Sequence, residues 1–265
     1  MTNLATPPSV PERGWRRWAP VLLVPVALLS NLAAALPLQT YYFRDFSAAF
    51  YPLRLFAARE MREGRFPVWN PYIFEGSFQV PALYPPDLLH TLWPSPVFLS
   101  WLLTLHLPVA ALAAWWLARE LGASREGAFL TGAVYALGGL ALSTLNLYVF
   151  LQALALAPLV AGLLRRAALE GGRMVVAGGL GLAVALSTLA VEFVGQAVLL
   201  GVALGLTGRS GRASGLRLLA ATALGIGLAG VPLTLTLGLL PETVRGAGFA
   251  ADVRYGNAVH PAVLL

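Results

Sequence analysis

One aspartate near the start of the chain has the chemistry and the setting of a reactive group. Asp45 follows an apolar block by a few residues, stands next to Arg44, and lies within a stretch rich in aromatic residues. A carboxylate there can take a proton from an incoming hydroxyl or bind a divalent cation, and partial burial among aromatic rings would tune its basicity. A simpler alternative is that Asp45 caps or anchors a helix beginning at Phe46. Spacing alone leaves both open.

Two further carboxylates follow in the same stretch, at Glu75 and Asp87. A second acidic group could share a metal ion with the first, so a divalent cation is a candidate cofactor, although no metal ligand set is defined. Because Asp87 comes directly after two prolines, it also fits the cap of a helix that begins near Leu88. Glu75 is compatible with either a binding or a purely structural role.

Other side chains in this stretch are of types that bind ligands. Hydrogen-bonding and stacking groups of the kind that carbohydrates use are present at Trp69, Asn70, Tyr84 and His90. A guanidinium binds phosphate oxygens in pairs, which makes candidates of Arg44, Arg54 and Arg65. Each arginine could instead contact lipid headgroups, and for Arg54 this is the simpler interpretation.

Two polar residues stand within apolar blocks farther along the chain, His106 and Glu192. A titratable group at membrane depth raises a functional hypothesis by default. For His106 the simpler interpretation is a neutral core residue bonded to a carbonyl. Glu192 remains a candidate for substrate binding or for an interfacial position where its charge costs little.

Composition assigns these residues to a membrane protein. Of the 265 residues, 58% are hydrophobic and 11% charged, against about 25% charged in typical soluble domains. The net charge of +6 comes from scattered arginines without a contiguous basic face, which argues against nucleic-acid binding. There is no cysteine, and the sequence holds no phosphate-binding loop, zinc-protease motif or serine-hydrolase motif.

The fold class that we predict is all-α, with about seven transmembrane helices. The predicted spans are 19–38, 97–118, 127–145, 147–164, 174–190, 192–207 and 217–240. Residues 1–18 form a cytoplasmic tail, 19–240 a polytopic membrane domain with an outer loop at 39–96, and 241–265 an outer segment. That last segment suggests that the chain is the N-terminal piece of a longer protein or a shortened relative of one.

The arginines give this topology an orientation. With the N-terminus inside, 11 of the 18 arginines fall on inner segments, and the two short outer connections carry none. Cytoplasmic loops are enriched in arginine and lysine, so the chain is predicted to sit in the inner (cytoplasmic) membrane with its N-terminus inside.

The predicted outer loop has the composition of a folded segment. Its many aromatic residues can bury enough apolar surface to offset the entropy of ordering. Residues 46–63 place aromatic and aliphatic side chains on one stripe, as an amphipathic interfacial helix does, although Pro52 weakens that prediction. The prolines and glycines from Gly64 to Pro86 indicate a series of turns.

Several strings in the chain resemble the YfhO-like family of bacterial membrane proteins. They are Asp45, Tyr51-Pro52, Gly64-Arg65-Phe66-Pro67-Val68-Trp69-Asn70-Pro71-Tyr72, Gly76, Tyr84-Pro85-Pro86-Asp87, His106, residues 118–122 and residues 132–139. That family is similar to the GT-C class of membrane glycosyltransferases, which take a sugar from a polyprenyl-phosphate carrier. The resemblance implies that Asp45 matches the acidic residue of the first outer loop, which serves as general base or metal ligand.

The expected function is therefore transfer of a sugar from a polyprenyl-phosphate donor to a cell-envelope glycopolymer at the outer face. The expected partners are the lipid bilayer, the lipid-linked sugar and the acceptor. Two alternatives belong to other classes: a transporter or flippase for a lipid-linked sugar, and a non-catalytic membrane protein of envelope assembly. Family members are usually longer, with more spans and an outer soluble portion.

Overall fold

The structure is a computed structural model that describes residues 18–36, 38–73, 75–80, 83–208, 211–242 and 248. Most of the predicted tail 1–18 and the segment after Glu242 fall outside these residues. The helices are α1 (Ala19–Leu28), α2 (Leu32–Ala35), α3 (Tyr51–Arg62), α4 (Pro85–Leu89), α5 (Pro96–Thr104), α6 (His106–Glu120), α7 (Arg125–Leu137), α8 (Gly139–Ser143), α9 (Tyr148–Glu170), α10 (Arg173–Leu186), α11 (Val191–Gly208), α12 (Arg212–Leu228) and α13 (Gly230–Leu239).

Apolar helices occupy each predicted span, but they differ in length. Within the described chain, three stretches are long and apolar enough to cross a membrane, namely Pro96–Glu120, Arg125–Asn146 and Tyr148–Glu170. α12 and the helical stretch from Gly230 to Glu242 make a fourth only if they form one span, and they meet at an angle of 71°. α10 has 14 residues, about 21 Å of helix, against a hydrocarbon core of roughly 30 Å. The all-α fold is confirmed, and the number of spans stays a prediction.

The central element is α9, which packs against α6, α10, α11 and α12. Its buried positions lie all around the helix and include leucine, alanine, valine and glycine, as expected of a helix enclosed on every side. Two apolar cores meet along it. One joins α9 to α1, α5 and α6, and the other joins it to α10, α11 and α12.

The segment between α2 and α5 is folded and lies against the helices. Phe46–Phe50 forms one π-helical stretch that continues into α3, so the predicted helix over 46–63 is present. Pro52 does not interrupt it and lies where the π-helical stretch passes into α3. A two-stranded antiparallel hairpin follows, with β1 (Trp69–Asn70) paired to β2 (Ser77–Phe78).

Contacts near Tyr41 fasten the start of this segment to α5. The Tyr41 amide donates to Ser100 Oγ at 3.0 Å, and the Tyr41 hydroxyl lies 2.9 Å from Thr104 Oγ1. Burial raises the pKa of Tyr41, so its phenol stays neutral. Phe46, only 1% exposed, adds an apolar contact to the same core.

Charged side chains gather at the other end of the bundle. Arg165 and Arg166 approach Glu120 at 3.8 and 4.0 Å, which links α9 to the end of α6. Arg217 of α12 donates to the carbonyls of Ala168 and Leu169, at 3.1 and 3.3 Å, near the end of α9. These carbonyls lie in the last turn of α9, where no later amide of the helix donates to them. The guanidinium supplies the missing hydrogen bonds.

Glycines set the distance between α11 and α9, which gives a test of this packing. A Cβ at Gly201 would lie 2.9 Å from Leu164 Cβ and 3.1 Å from the Ala161 backbone. Gly201→Ala is therefore expected to destabilise the protein by about 1–3 kcal/mol through overpacking. Thermal unfolding in detergent measures the change.

The matched control is Gly195→Ala in the same helix, where a Cβ meets nothing within 4 Å. It should be neutral or stabilising, because alanine favours a helix over glycine by about 1 kcal/mol. Equal melting temperatures for the two variants would contradict the packing of α11 on α9.

Candidate functional site

A buried carboxylate joins the 39–96 segment to the central helix. Asp87, 5% exposed, accepts a hydrogen bond from the Tyr148 hydroxyl and another from Gln152 Nε2 at 2.7 Å. Arg54 Nη2 of α3 lies 3.0 Å from Asp87 Oδ2, and its guanidinium sits over the Tyr148 ring, 5.3 Å from the centroid. The negative charge of Asp87 is therefore compensated from three sides, which burial of a carboxylate requires.

The local sequence explains how Asp87 reaches this position. Pro85 and Pro86 occupy the first turn of α4, where their fixed φ favours a helix start. The helix thus begins before Asp87, and Asp87 makes no capping hydrogen bond. The interpretation of Asp87 as the cap of a helix beginning near Leu88 is wrong, since the side chain turns to α9 instead of its own backbone.

Tyr84, at the start of α4, enters the same region. Its hydroxyl lies 2.8 Å from Nε2 of His106, and Nδ1 of His106 lies 2.9 Å from the Leu102 carbonyl. Both rings are buried. Burial, with a smaller contribution from the charge of Asp87, raises the pKa of Tyr84, so the phenol remains a neutral hydrogen-bonding group. His106 is therefore a buried ring within hydrogen-bonding distance of a backbone carbonyl, as the simpler interpretation of this residue predicts.

His90 lies at the C-terminal end of α4. Its Nε2 lies 3.2 Å from the Ser95 carbonyl, and the Tyr51 ring packs edge-on at 6.3 Å. Burial lowers the pKa of His90 and favours the neutral imidazole. His90 therefore belongs with Tyr84 and Asp87 in one polar cluster.

Asp45 lies apart from this cluster and is not held in the same way. It is half-buried, immediately precedes the π-helical stretch, and makes no side-chain capping hydrogen bond. Among the described residues its carboxylate has no hydrogen-bond or ion-pair partner. The capping alternative for Asp45 is therefore absent from this structure.

An aromatic cavity is lined by Phe43 and Phe46, the residues that flank Arg44 and Asp45 in the sequence. Arg44 has a positive φ of 49°, is exposed, and stands over the Phe43 ring. The cavity has a volume of about 300 Å³. Its lining is aromatic and aliphatic apart from one amide, and consists of Tyr41, Tyr42, Phe43, Phe46, Leu142, Leu145 and Asn146.

Arg65 forms ion pairs with two carboxylates. It donates to both oxygens of Glu60 at 2.6 and 2.7 Å and reaches Glu63 at 2.6 Å. The hydrogen bonds from Arg65 lower the pKa of Glu60 and keep it ionised. Arg65 lines a groove of about 480 Å³ together with Asn70.

The hairpin residues differ in exposure. Trp69 is half exposed and meets Phe78 edge-on at 5.0 Å, whereas Asn70 is buried and accepts from the Tyr72 amide at 2.9 Å. Asn70 thus holds the turn of the hairpin. Gly76 has a φ of 115° and lies under the Trp69 ring, where a side chain would collide with the indole.

Glu75 and Glu192 are not joined to either aspartate by any contact that the structure describes. Glu75 is exposed with a φ of 61° in the hairpin turn. Glu192 is exposed in the first turn of α11, where the partial positive charge of the helix end favours a carboxylate. The predicted residues are thus divided between a buried cluster, the hairpin groove and single exposed positions.

Tyr148 and Gln152 are the parts of the buried cluster that the sequence did not indicate. They lie one helical turn apart at the start of α9, so they share a face. Two hydrogen-bonding side chains at this spacing in the otherwise apolar first half of α9 were the available signal. Their partner in the chain lies 61 and 65 residues earlier, and spacing gives no hint of that.

Possible metal ligands and similarity to known proteins also bear on what the site can do. Within the described residues, no three histidine, aspartate or glutamate side chains form a group that could hold a metal ion. No protein-family model, curated protein or solved structure matches the chain.

The geometry of Asp87 leads to a stability prediction. Asp87→Asn removes the charge opposite the nearly buried Arg54, so we expect a loss of about 3 kcal/mol of unfolding free energy. Thermal and chemical unfolding in detergent measure it. Glu75→Gln, an exposed carboxylate of the same segment, should stay within about 0.5 kcal/mol of the wild type. Equal effects of the two substitutions would show that Asp87 does not anchor the segment.

Proposed function

We propose that the chain is an integral membrane glycosyltransferase of the GT-C type, related to the YfhO-like family. It moves a sugar from a polyprenyl-phosphate donor to a cell-envelope acceptor at the outer face of the cytoplasmic membrane. One observation carries the proposal. Of the two aspartates that flank α3 and the hairpin, Asp87 is neutralised by its partners, whereas the half-buried Asp45 is left with an unengaged carboxylate.

The chemistry assigned to Asp45 is general-base catalysis. A hydroxyl oxygen of the acceptor attacks the anomeric carbon of the donor sugar and forms the new glycosidic bond. The bond from that carbon to the phosphate oxygen breaks, and the polyprenyl phosphate leaves with the electron pair. The acceptor proton passes to Asp45, which must be ionised and free to receive it. Any divalent cation would act as a Lewis acid on the departing phosphate.

Asp87 is unsuited to the same step. Its carboxylate already accepts from Tyr148 and Gln152 and faces Arg54, so proton transfer to it would break a buried ion pair. We infer that Asp87 holds α4 in place against α9 and, through the neighbouring Tyr84, holds the adjoining segment as well. It therefore acts as a positioning residue.

The proposed topology has seven spans with the N-terminus inside. The ion pairs of Glu120 and the arginines near it then face the cytoplasm, in agreement with the positive-inside rule. The 39–96 segment then faces the outer compartment. The short α10 and α11 would require local thinning of the bilayer or continuation of the span by their connecting turns.

The distribution of buried polar groups supports a transferase over a transporter. In the described part of α6, buried positions after His106 are leucine, proline and alanine, and in α9 those after Gln152 are apolar or glycine. A transport pathway for a polar headgroup requires polar side chains through the membrane interior. Here the buried polar side chains of α6 and α9 are confined to the half near the 39–96 segment.

Labelled transfer tests the proposal. Membranes carrying the intact chain, at matched expression, are supplied with a radiolabelled polyprenyl-phosphate sugar pool, and label in envelope material is counted. Asp45→Asn keeps the shape of the side chain but cannot accept the proton. We expect the transfer rate to fall by about 10²–10⁴-fold.

The control for this experiment is Glu63→Gln, which removes an exposed carboxylate of the same segment and should leave transfer near the wild-type rate. Equal labelling with wild type and Asp45→Asn would exclude Asp45 from catalysis and favour the transport or scaffold function.

A further inference from the structure

A second cavity lies where four segments of the chain converge. It has a volume of about 240 Å³ and is bordered by α3, by the hairpin region, by the first turn of α9 and by the connection from α10 to α11. Its lining consists of Phe50, Leu53, Arg54, Ala57, Pro67, Gln79, Val80, Val149 and Leu189. Seven of these residues are apolar, and the two polar ones, Arg54 and Gln79, carry hydrogen-bond donors.

Arg54 brings unused donors to this cavity. Its side chain is only 14% exposed, and among the described residues its guanidinium makes no hydrogen bond. Although Arg54 Nη2 is 3.0 Å from Asp87 Oδ2, that oxygen accepts no hydrogen bond, so the N–H groups point elsewhere. The contact is an ion pair, and among the described residues no hydrogen-bond acceptor engages the guanidinium, so it has donors available to another acceptor.

Gln79 adds a buried donor to the same cavity. Its Nε2 is buried without a hydrogen-bond partner. An unsatisfied buried donor costs about 1–3 kcal/mol. The Gln79 amide together with the positive charge of Arg54 on one small cavity points to a ligand that supplies acceptor oxygens. The cavity lining itself offers no acidic side chain.

The other candidate arginines lack this combination. Arg65 is bound to Glu60 and Glu63, so its donors are used. Arg44 is exposed and can bond to water. Arg54 alone of the three is both enclosed and short of acceptors among the described residues.

We propose that this cavity binds the phosphate of a lipid, with Arg54 and Gln79 donating to its oxygens and the apolar walls contacting the first carbons of its hydrocarbon chain. A phosphate supplies only acceptors at neutral pH and matches the guanidinium fork. The apolar lining favours a phosphate joined to a hydrocarbon over a free ion, because the hydrocarbon would be removed from water. The volume admits a headgroup and the adjoining carbons, and the rest of the lipid lies outside.

This site adds a lipid-binding position to the proposed function. The identification of the lipid as the polyprenyl-phosphate donor rests on that proposed function. The binding chemistry itself is independent of transfer. A lipid phosphate would be held here whether or not Asp45 acts as a base, so the two proposals can fail separately.

Direct binding to the full-length chain in detergent micelles tests the site, with farnesyl phosphate as the probe. Farnesol supplies the hydrocarbon without the phosphate, and inorganic phosphate supplies the ion without the hydrocarbon. We expect farnesyl phosphate to bind about tenfold or more tightly than either, since each lacks one half of the contacts.

Gln79→Glu is the decisive variant. Its size is unchanged, it does not touch Asp87, and its carboxylate would occupy the donors of Arg54 and repel a phosphate. We expect its affinity for farnesyl phosphate to fall about tenfold or more, with the melting temperature without ligand equal to or above that of the wild type. Arg54→Gln should lose binding as well, but it also leaves Asp87 unpaired, so the conclusion rests on Gln79→Glu.

Arg59→Gln is the matched control, because it removes an exposed arginine from the same helix. Its affinity for farnesyl phosphate should equal that of the wild type.

Unchanged affinity in Gln79→Glu would overturn the proposal, as would equally tight binding of farnesol. Equally tight binding of inorganic phosphate would overturn the assignment to a lipid. Asp45→Asn should bind farnesyl phosphate normally, so a failure of the catalytic proposal would not be mistaken for a failure of this one.

Discussion

A charged carboxylate enclosed by apolar helices must be compensated by nearby donors, and much of the structure around α4 follows from this requirement. Asp87 is removed from water, and a carboxylate in such a place costs several kcal/mol unless it is paired. Tyr148 and Gln152 supply hydrogen bonds from the central helix, and Arg54 supplies the opposite charge from α3. The same three contacts fix α3, α4 and α9 relative to one another. The placement of α3 and α4 on the central helix therefore depends strongly on the electrostatics of Asp87.

Local elements were predictable from the sequence, because short-range rules determine them. The helix from Phe46 onward follows from its apolar stripe, and the start of α4 follows from two prolines at its first turn. Apolar helices occupy all the predicted spans for the same reason. Helix length was less predictable, because α10 and α12 end within long hydrophobic stretches, where hydropathy alone does not mark the end of a helix.

The arrangement of the polar residues was not predictable. Asp87 could not be distinguished from an N-cap by spacing, since its partners are more than 60 residues later in the chain. Arg65 and Arg54 also look alike in the sequence. In the structure, neighbouring glutamates engage the first and a cavity with unsatisfied donors borders the second. Tertiary contacts of this kind decide which of several similar side chains remains available to a ligand.

Arg217 has a consequence for how the protein is made. It satisfies carbonyls at the end of α9 from α12, which lies almost 50 residues later in the chain. A polypeptide emerging from the ribosome therefore presents the end of α9 to the surrounding medium well before its permanent acceptor contacts exist. In the interval water must serve those carbonyls, so the end of α9 must stay accessible to water until α12 is in place. Once α12 packs against α9, the fixed guanidinium of Arg217 replaces water at these carbonyls, so the end of α9 reaches its final hydrogen bonding only after α12 has been synthesised.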